Sequence, residues 1–383
     1  MFVAFPRRSA LIAAASVAAV LGVAACSAPS SSGGSSSTSG GATNAANAAT
    51  ATNAAAMGGM DALVAAAKKE GALNVIALPP DWANYGEAIT AFGTKYGIKV
   101  TSAQPDASSA DEIAAATRLK GQPTAPDVFD VSQTVADANK ATFAPYQVAT
   151  WSTIPADRKD AAGVWVNDYA GYMSVGYDSA KVPAPTSMND LLKPAYKGKV
   201  ALNGDPTKAG AAFAGVQMVA LAEGGSPGDI TKGVDFFKNL KKAGNFLPVD
   251  PTPATIQSGQ TPVVFDWAYN NAPISTKLTT WKTWIPDNAV LAAFYVQAIS
   301  KDAPHPAAAR LWEEFLFSDE GQNYWLKGAA FPVRYDAMKT AGTLDATALK
   351  SLPAVTGTPV IPSEADITSA KDYLTKNWAN AVG

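Results

Sequence analysis

This sequence predicts a two-lobed α/β fold, each lobe a mainly parallel sheet flanked by helices, with two crossing hinge strands between them. Three observations point there. The chain has 383 residues, more than one hydrophobic core usually covers. From residue 61 onward, short apolar runs alternate with stretches of helical period. That alternation runs as one series from about residue 70 and as a second from about residue 165, which reads as two α/β units.

In the first series, Leu73 to Leu78 (LNVIAL) reads as a buried strand. Tyr85, Ile89, Phe92 and Tyr96 then recur at spacings of three and four, a helix closed by Gly97. Residues 98–100 make a second strand, residues 111–120 a helix and residues 128–131 a third strand. In the second series, residues 172–177 alternate like a strand, residues 188–192 form a short helix, and residues 200–202 lead into a helix over 209–222. Ile230, Val234 and Phe237 mark a further helix. Residues 262–265 are a strand and residues 289–299 a long β-rich run. After His305, the stripe Ala308, Leu311, Trp312, Phe315 and Leu316 is the buried face of a helix that Pro306 suits in its first turn. The hinge crossings fall near residues 165–177 and 290–300, so lobe 1 takes residues 61–165 with part of 300–383, and lobe 2 takes residues 166–299.

Ahead of this globule stand an address and a tether. Arg7 and Arg8 precede an apolar run of roughly 16 residues, short for a membrane span of ~20. The run ends in Val23-Ala24-Ala25-Cys26, which resembles the lipobox of bacterial lipoproteins and implies lipidation at Cys26. Residues 1–25 then read as a signal peptide. Residues 26–60, largely Ser, Gly, Ala, Thr and Asn, read as the lipidated cysteine and a flexible linker. Removing residues 1–25 takes away two arginines and no acid, moving the formal charge from −2 to −4. An exported chain anchored by lipid to the outer face of the cytoplasmic membrane is the expectation.

Composition narrows the chemistry. Thirty basic residues against 32 acidic ones give no basic face for nucleic acid. One cysteine allows no intramolecular disulfide or Cys-rich zinc site, and one histidine no His-cluster metal centre. Neither a cofactor nor a catalytic role is expected.

Binding residues are sought at strand ends, where open α/β sheets hold ligands. The strand at 73–78 runs into Asp81 and Trp82, with Tyr85 one turn on; the strand at 262–265 runs into Asp266, Trp267 and Tyr269. Two acid–Trp pairs from different halves suit a cation, through charge and cation–π attraction of ~0.5–2 kcal/mol per ring. Capping by Asp81 and core packing by Trp267 are the plainer alternatives. Ser132 ends the third strand and faces the cleft or caps a loop. The loop at 203–210, with Asp205 and Lys208, either caps the following helix or offers its N-terminus to a phosphate or phosphonate. Tyr169 and Tyr172 flank Gly171 near the first crossing, and His305 reads as a loop or capping residue.

Several stretches together resemble bacterial ABC-importer solute-binding lipoproteins, in the group of polyamine, ferric-ion and phosphonate binders: Pro126-Asp127-Val128, residues 186–200 (TSMNDLLKPAYKGKV), residues 302–309 (DAPHPAAA), residues 318–322 (SDEGQ) and residues 331–334 (FPVR). The resemblance implies a type II periplasmic-binding-protein-like fold, a closing cleft, a small-molecule ligand and delivery to a membrane ABC permease, by a monomer. Polyamine binders of this group carry acids and aromatics in the cleft, as Asp81, Trp82, Asp266, Trp267 and Tyr269 do here. Ferric binders typically carry adjacent tyrosines, and no Tyr-Tyr pair occurs. A polyamine or related organic cation is therefore the expected ligand, with iron or a phosphate ester as the alternative and a secreted hydrolase as a distant one.

Overall fold

The computed structural model describes residues 48–105 and 107–383; Cys26, the expected signal peptide and the tether as far as residue 47 lie outside them. The linker expected up to residue 60 gives way, within the described residues, to packed chain. Ala48 and Ala51 are buried, and the buried Arg310 guanidinium donates to the carbonyls of Ala49 (3.0 Å) and Ala51 (2.8 Å). Small side chains leave those carbonyls reachable, and the resulting hydrogen bonds order a segment whose composition has little apolar surface to bury.

The helices are α1 (Met60–Glu70), α2 (Tyr85–Tyr96), α3 (Ser109–Arg118), α4 (Gln133–Ala138), α5 (Gly210–Ala222), α6 (Thr231–Lys242), α7 (Pro253–Ser258), α8 (Ala268–Ile274), α9 (Pro306–Leu316), α10 (Asp319–Lys327), α11 (Tyr335–Ala341) and α12 (Glu364–Val382). The strands are β1 (Ala72–Ile76), β2 (Lys99–Ala103), β3 (Val128–Ser132), β4 (Phe143–Ala144), β5 (Val166–Asp178), β6 (Val200–Leu202), β7 (Val263–Trp267), β8 (Trp281–Trp284), β9 (Ala292–Ser300) and β10 (Phe331–Pro332). None of the described helices is long and apolar enough to cross a membrane.

Strand β5 organises the fold. Its first half pairs with β9 and β10, and its second half, Met173 to Asp178, pairs with β7 and β8. One strand thus belongs to two sheets, the arrangement expected of a crossing. The second crossing comes where Met173 N donates to Leu291 O, just ahead of β9. The sheets are mixed rather than mainly parallel. β1 with β2 and β6 with β7 are parallel, while β3 with β9, β5 with β9 and β5 with β7 are antiparallel. The long crossing strands β5 and β9 run against their neighbours, and alternating apolar runs carry no information about that direction.

The stretches that resemble the transporter group act as scaffold. Asp127 accepts from His305 N (2.7 Å) and lies 2.8 Å from His305 Nδ1, so two of those stretches meet at the start of α9. His305 thus stands at the N-cap position of α9, as a capping residue would, and also ties two elements together. Two others meet where Arg334 N donates to Gln322 Oε1 and Arg334 pairs with Asp319 at 2.8 Å. Asn245 holds the remaining stretch, residues 186–200, donating to Leu191 O and Lys193 O. The predicted stripe on α9 is wholly buried.

Candidate functional site

A cavity of about 390 Å³ lies where β3 and β7 end, beside the start of β9. Ser132 from β3, Trp267 from β7 and Tyr295 from β9 line it, together with the opening turn of α5 and the chain entering α12. A second hollow, of about 430 Å³, is lined by residues between 186 and 288, none of them on β5 or β9 themselves. Of these two, the first draws walls from both sheets, through Ser132 and Tyr295 on one side and Trp267 on the other.

Its chemistry is set by α5. No side chain caps this helix and no acid sits in its first turn, leaving the amides of Gly210, Ala211 and Ala212 without a side-chain acceptor. Asp205, which the sequence offered as a cap, instead closes its own loop by accepting from Thr207 N and Thr207 Oγ1. Gly210 sits against the opposite wall: a Cβ there would lie 3.4 Å from both Ser132 Cβ and the Tyr295 hydroxyl. Four cations line the same cavity, Lys140, Arg158, Lys208 and Lys371. Three have carboxylates at hand: Lys140 at 3.2 Å from Asp137, Arg158 at 3.4 Å from Asp157, Lys208 at 3.8 Å from Asp205. Positive helix end and positive side chains thus face one space, which Asp137, Asp157 and Glu364 also line.

Behind the cavity stands a cluster of five rings. Trp82 meets Tyr269 and Tyr295 edge-on, each at 5.7 Å, and Tyr169 meets the same two rings at 5.5 and 5.8 Å. Trp267 completes it, stacked 6.0 Å from Tyr269. Tyr269 lies flat on β5, because Gly171 leaves room there; a Cβ would fall 2.3 Å from the ring. Trp82 arrives on a loop whose Ala77, Ala83 and Asn84 all adopt positive φ, a conformation costly for non-glycine residues. That turn points Trp82 inward, where its Nε1 donates to the Tyr169 hydroxyl at 2.7 Å, and leaves Asp81 exposed.

Buried acids lie beyond the rings. The Tyr169 hydroxyl donates to Asp130 at 3.2 Å; Tyr85 and Gln297 donate to Asp168 at 3.3 and 3.0 Å. Burial and the neighbouring Asp168 push the Asp130 carboxyl well up, and burial pushes Asp168 up to about 7 despite its donors. Asp266 is raised to about 6 by burial, and its oxygens already accept from Trp267 N and Asn270.

Of the residues singled out in the sequence, Ser132 and Trp267 line the cavity, and Asp205 sits in the adjoining loop. Trp82, Tyr85 and Tyr269 belong to the ring cluster and the network behind it. Asp81 lies in solvent, and Asp266 is saturated by donors from its own chain. The two acid–Trp pairs therefore do not converge as a matched set. Sequence reasoning did not single out Thr134, Arg158, Tyr295 or Lys371 as cleft residues. Tyr295, two residues before Gln297 in a crossing strand, carried a detectable signal; Thr134 on the short helix α4, Arg158 at the end of a 3-10 turn and Lys371 on the terminal helix carried none. Among the described residues, no three His, Cys, Asp or Glu side chains gather as a metal site.

Residues 124–353 match the family of bacterial extracellular solute-binding proteins. No curated protein sequence matches the chain. Similar solved structures include the periplasmic binding protein AgtB from A. tumefaciens R10 in complex with agropinic acid (16% identity, TM-score 0.62, covering 82% of this chain and 98% of that one). AfuA from Actinobacillus pleuropneumoniae, with fructose-6-phosphate bound, aligns at 16% identity and TM-score 0.61, with 82% and 98% covered. Iron-bound HitA from Pseudomonas aeruginosa aligns at 20% identity and TM-score 0.58, with 82% and 99% covered. At these identities the likeness is one of fold.

Proposed function

The chain belongs to the bacterial extracellular solute-binding protein family, and within that premise we propose that it captures a small solute bearing a carboxylate or phosphate group. Membership makes it an exported receptor for a small molecule that works with an ABC importer. The ligand class rests on one observation: the uncapped N-terminus of α5 opens on the same cavity as Lys208, Arg158 and Lys371. In this reading lobe 1 holds residues 61–165 with part of 300–383, and lobe 2 holds residues 166–299. The solute bridges them and stabilises the closed state by its differential affinity, and the permease recognises that state. The chain works as a monomer held to the membrane by a lipid on Cys26.

A thermal-shift series tests the ligand class. Inorganic phosphate, glucose 6-phosphate and succinate are compared with putrescine, spermidine and ferric citrate. A ligand at 100 times its Kd adds about 2.7 kcal/mol of stability, enough to raise the melting temperature visibly. At least one anion is expected to do so; a response to amines or iron alone overturns the reading.

A second reading keeps the organic cation. It rests on the five-ring cluster and on Asp130 Oδ1, which is buried without a donor in hydrogen-bond geometry. In the same series it expects putrescine or spermidine, and no anion, to stabilise the chain.

A further inference from the structure

The cavity wall beside α5 is drawn from residues 361–371, beyond the stretch 124–353 that matches the family. This wall is held at both ends. Ala292 N donates to Val360 O at 2.9 Å and Val360 N to Val290 O at 2.8 Å, tying the incoming chain to the start of β9. Ser363 then caps α12 in a reciprocal capping box with Asp366, which sets the first turn at the cavity rim. Further along, Ala370, Leu374 and Trp378 are buried, and the Trp378 ring meets Phe237 of α6 at 5.5 Å. A segment pinned this way presents its side chains from a rigid frame.

Lys371 is the informative residue of that wall. Its ammonium is half-buried, donates to Thr134 Oγ1 across the cavity, and lies 5.6 Å from the centre of the Phe213 ring. Unlike the other three cations of the cavity, it has no carboxylate within ion-pair distance among the described residues. Burial, with no opposing charge, holds its pKa below the ordinary lysine value. A hydroxyl and a ring face are weak company for a desolvated charge, and an anion brought into the cavity would supply the missing counter-charge. Thr134 follows β3, which pairs with β9 in the first sheet, whereas α12 packs on α6, next to α5; the Lys371–Thr134 contact therefore joins the two sides of the cavity.

We infer that residues 361–371 form a selectivity wall of the cleft, in which Lys371 directly contacts the anionic group of the solute. The inference rests on the proposed anion-binding function and adds a residue and a segment to it. Lys371 is then a specificity-determining residue, and the strength of binding depends on its charge rather than its bulk.

The test uses the exported chain, residues 26–383, as wild type and as Lys371→Met, Lys371→Gln and Lys371→Arg, titrated calorimetrically with inorganic phosphate and with succinate. The expected result is a loss of tenfold or more in affinity for the probe that wild type binds, in both Met and Gln variants, with most of it restored in Arg. The ligand-free melting temperature should hold or rise, since the variants remove a half-buried charge; a purely structural role would lower it and leave affinity in place. Wild-type affinity in Lys371→Met, or in Lys371→Gln should the Met variant not fold, overturns the inference while the anion reading stands. An absence of any anion response in wild type overturns both.

Discussion

The ring cluster and the cavity beside it share Trp267 and Tyr295, yet they treat charge in opposite ways. Behind the rings, Asp130 and Asp168 are buried without a cationic partner and are driven toward their neutral forms. In front of the rings, Arg158, Lys208 and Lys371 line an open cavity together with Asp137, Asp157 and Glu364, so acids there share their space with cations. A formal charge of −2 over the whole chain conceals this separation. Which side of a dry barrier each charge occupies, and not the net balance, decides what the cleft can hold.

The contrast is most exposed at the barrier itself. Trp267→Ala removes a ring that is 2% exposed and stacks on Tyr269, and truncations of this kind cost about 3–5 kcal/mol. Urea unfolding should show that loss with little change in slope. A cost under about 1 kcal/mol would mean that the rings are loosely assembled and no barrier exists.

A smaller effect separates the two regions by pH. An unfolded Asp titrates near ~3.9, whereas Asp168 in the folded chain titrates at about 7. Between those values the folded chain binds a proton that the unfolded chain has released, so stability falls as pH rises through that window. Asp168→Asn should flatten the fall in melting temperature between about pH 4 and pH 7. An unchanged slope would show that Asp168 is charged and that the acids are not set apart from the cleft. His305, raised by Asp127, contributes in the same direction at higher pH and is left in place by this variant.

The mildest test lies at the cavity rim. Lys208 is 74% exposed and 3.8 Å from Asp205, so Lys208→Gln should leave the melting temperature unchanged. Affinity for an anion that wild type binds should fall a few-fold, more at low salt than at high salt. Equal loss at both salt concentrations would assign Lys208 a packing role instead.

Much of this architecture is legible in the local sequence. The helix from Tyr85 to Tyr96, ending in Gly97 at φ 66°, follows its apolar spacing, and the crossing at residues 165–177 became β5. Such features are local: a period, a cap, a run of apolar residues. The acid–Trp pairs were equally visible, but their meaning was not local. At one pair, three positive-φ residues turn Asp81 outward while Trp82 turns in; at the other, Asn270 and Trp267 N occupy the Asp266 oxygens. Two similar dipeptides at strand ends thus reached different environments.

Local sequence carries the alternation of strands and helices, the doubled series, the single cysteine and the segments that became scaffold ties such as Asp127 with His305. Tertiary structure alone decided the direction of the crossing strands, the separation of buried acids from cleft cations, and the meeting of Lys371 with Thr134, 237 residues apart. The physical reason is range. Hydrophobic period and capping act over a few residues along the chain, whereas burial and the pairing of charges depend on distance in space, which no local pattern encodes.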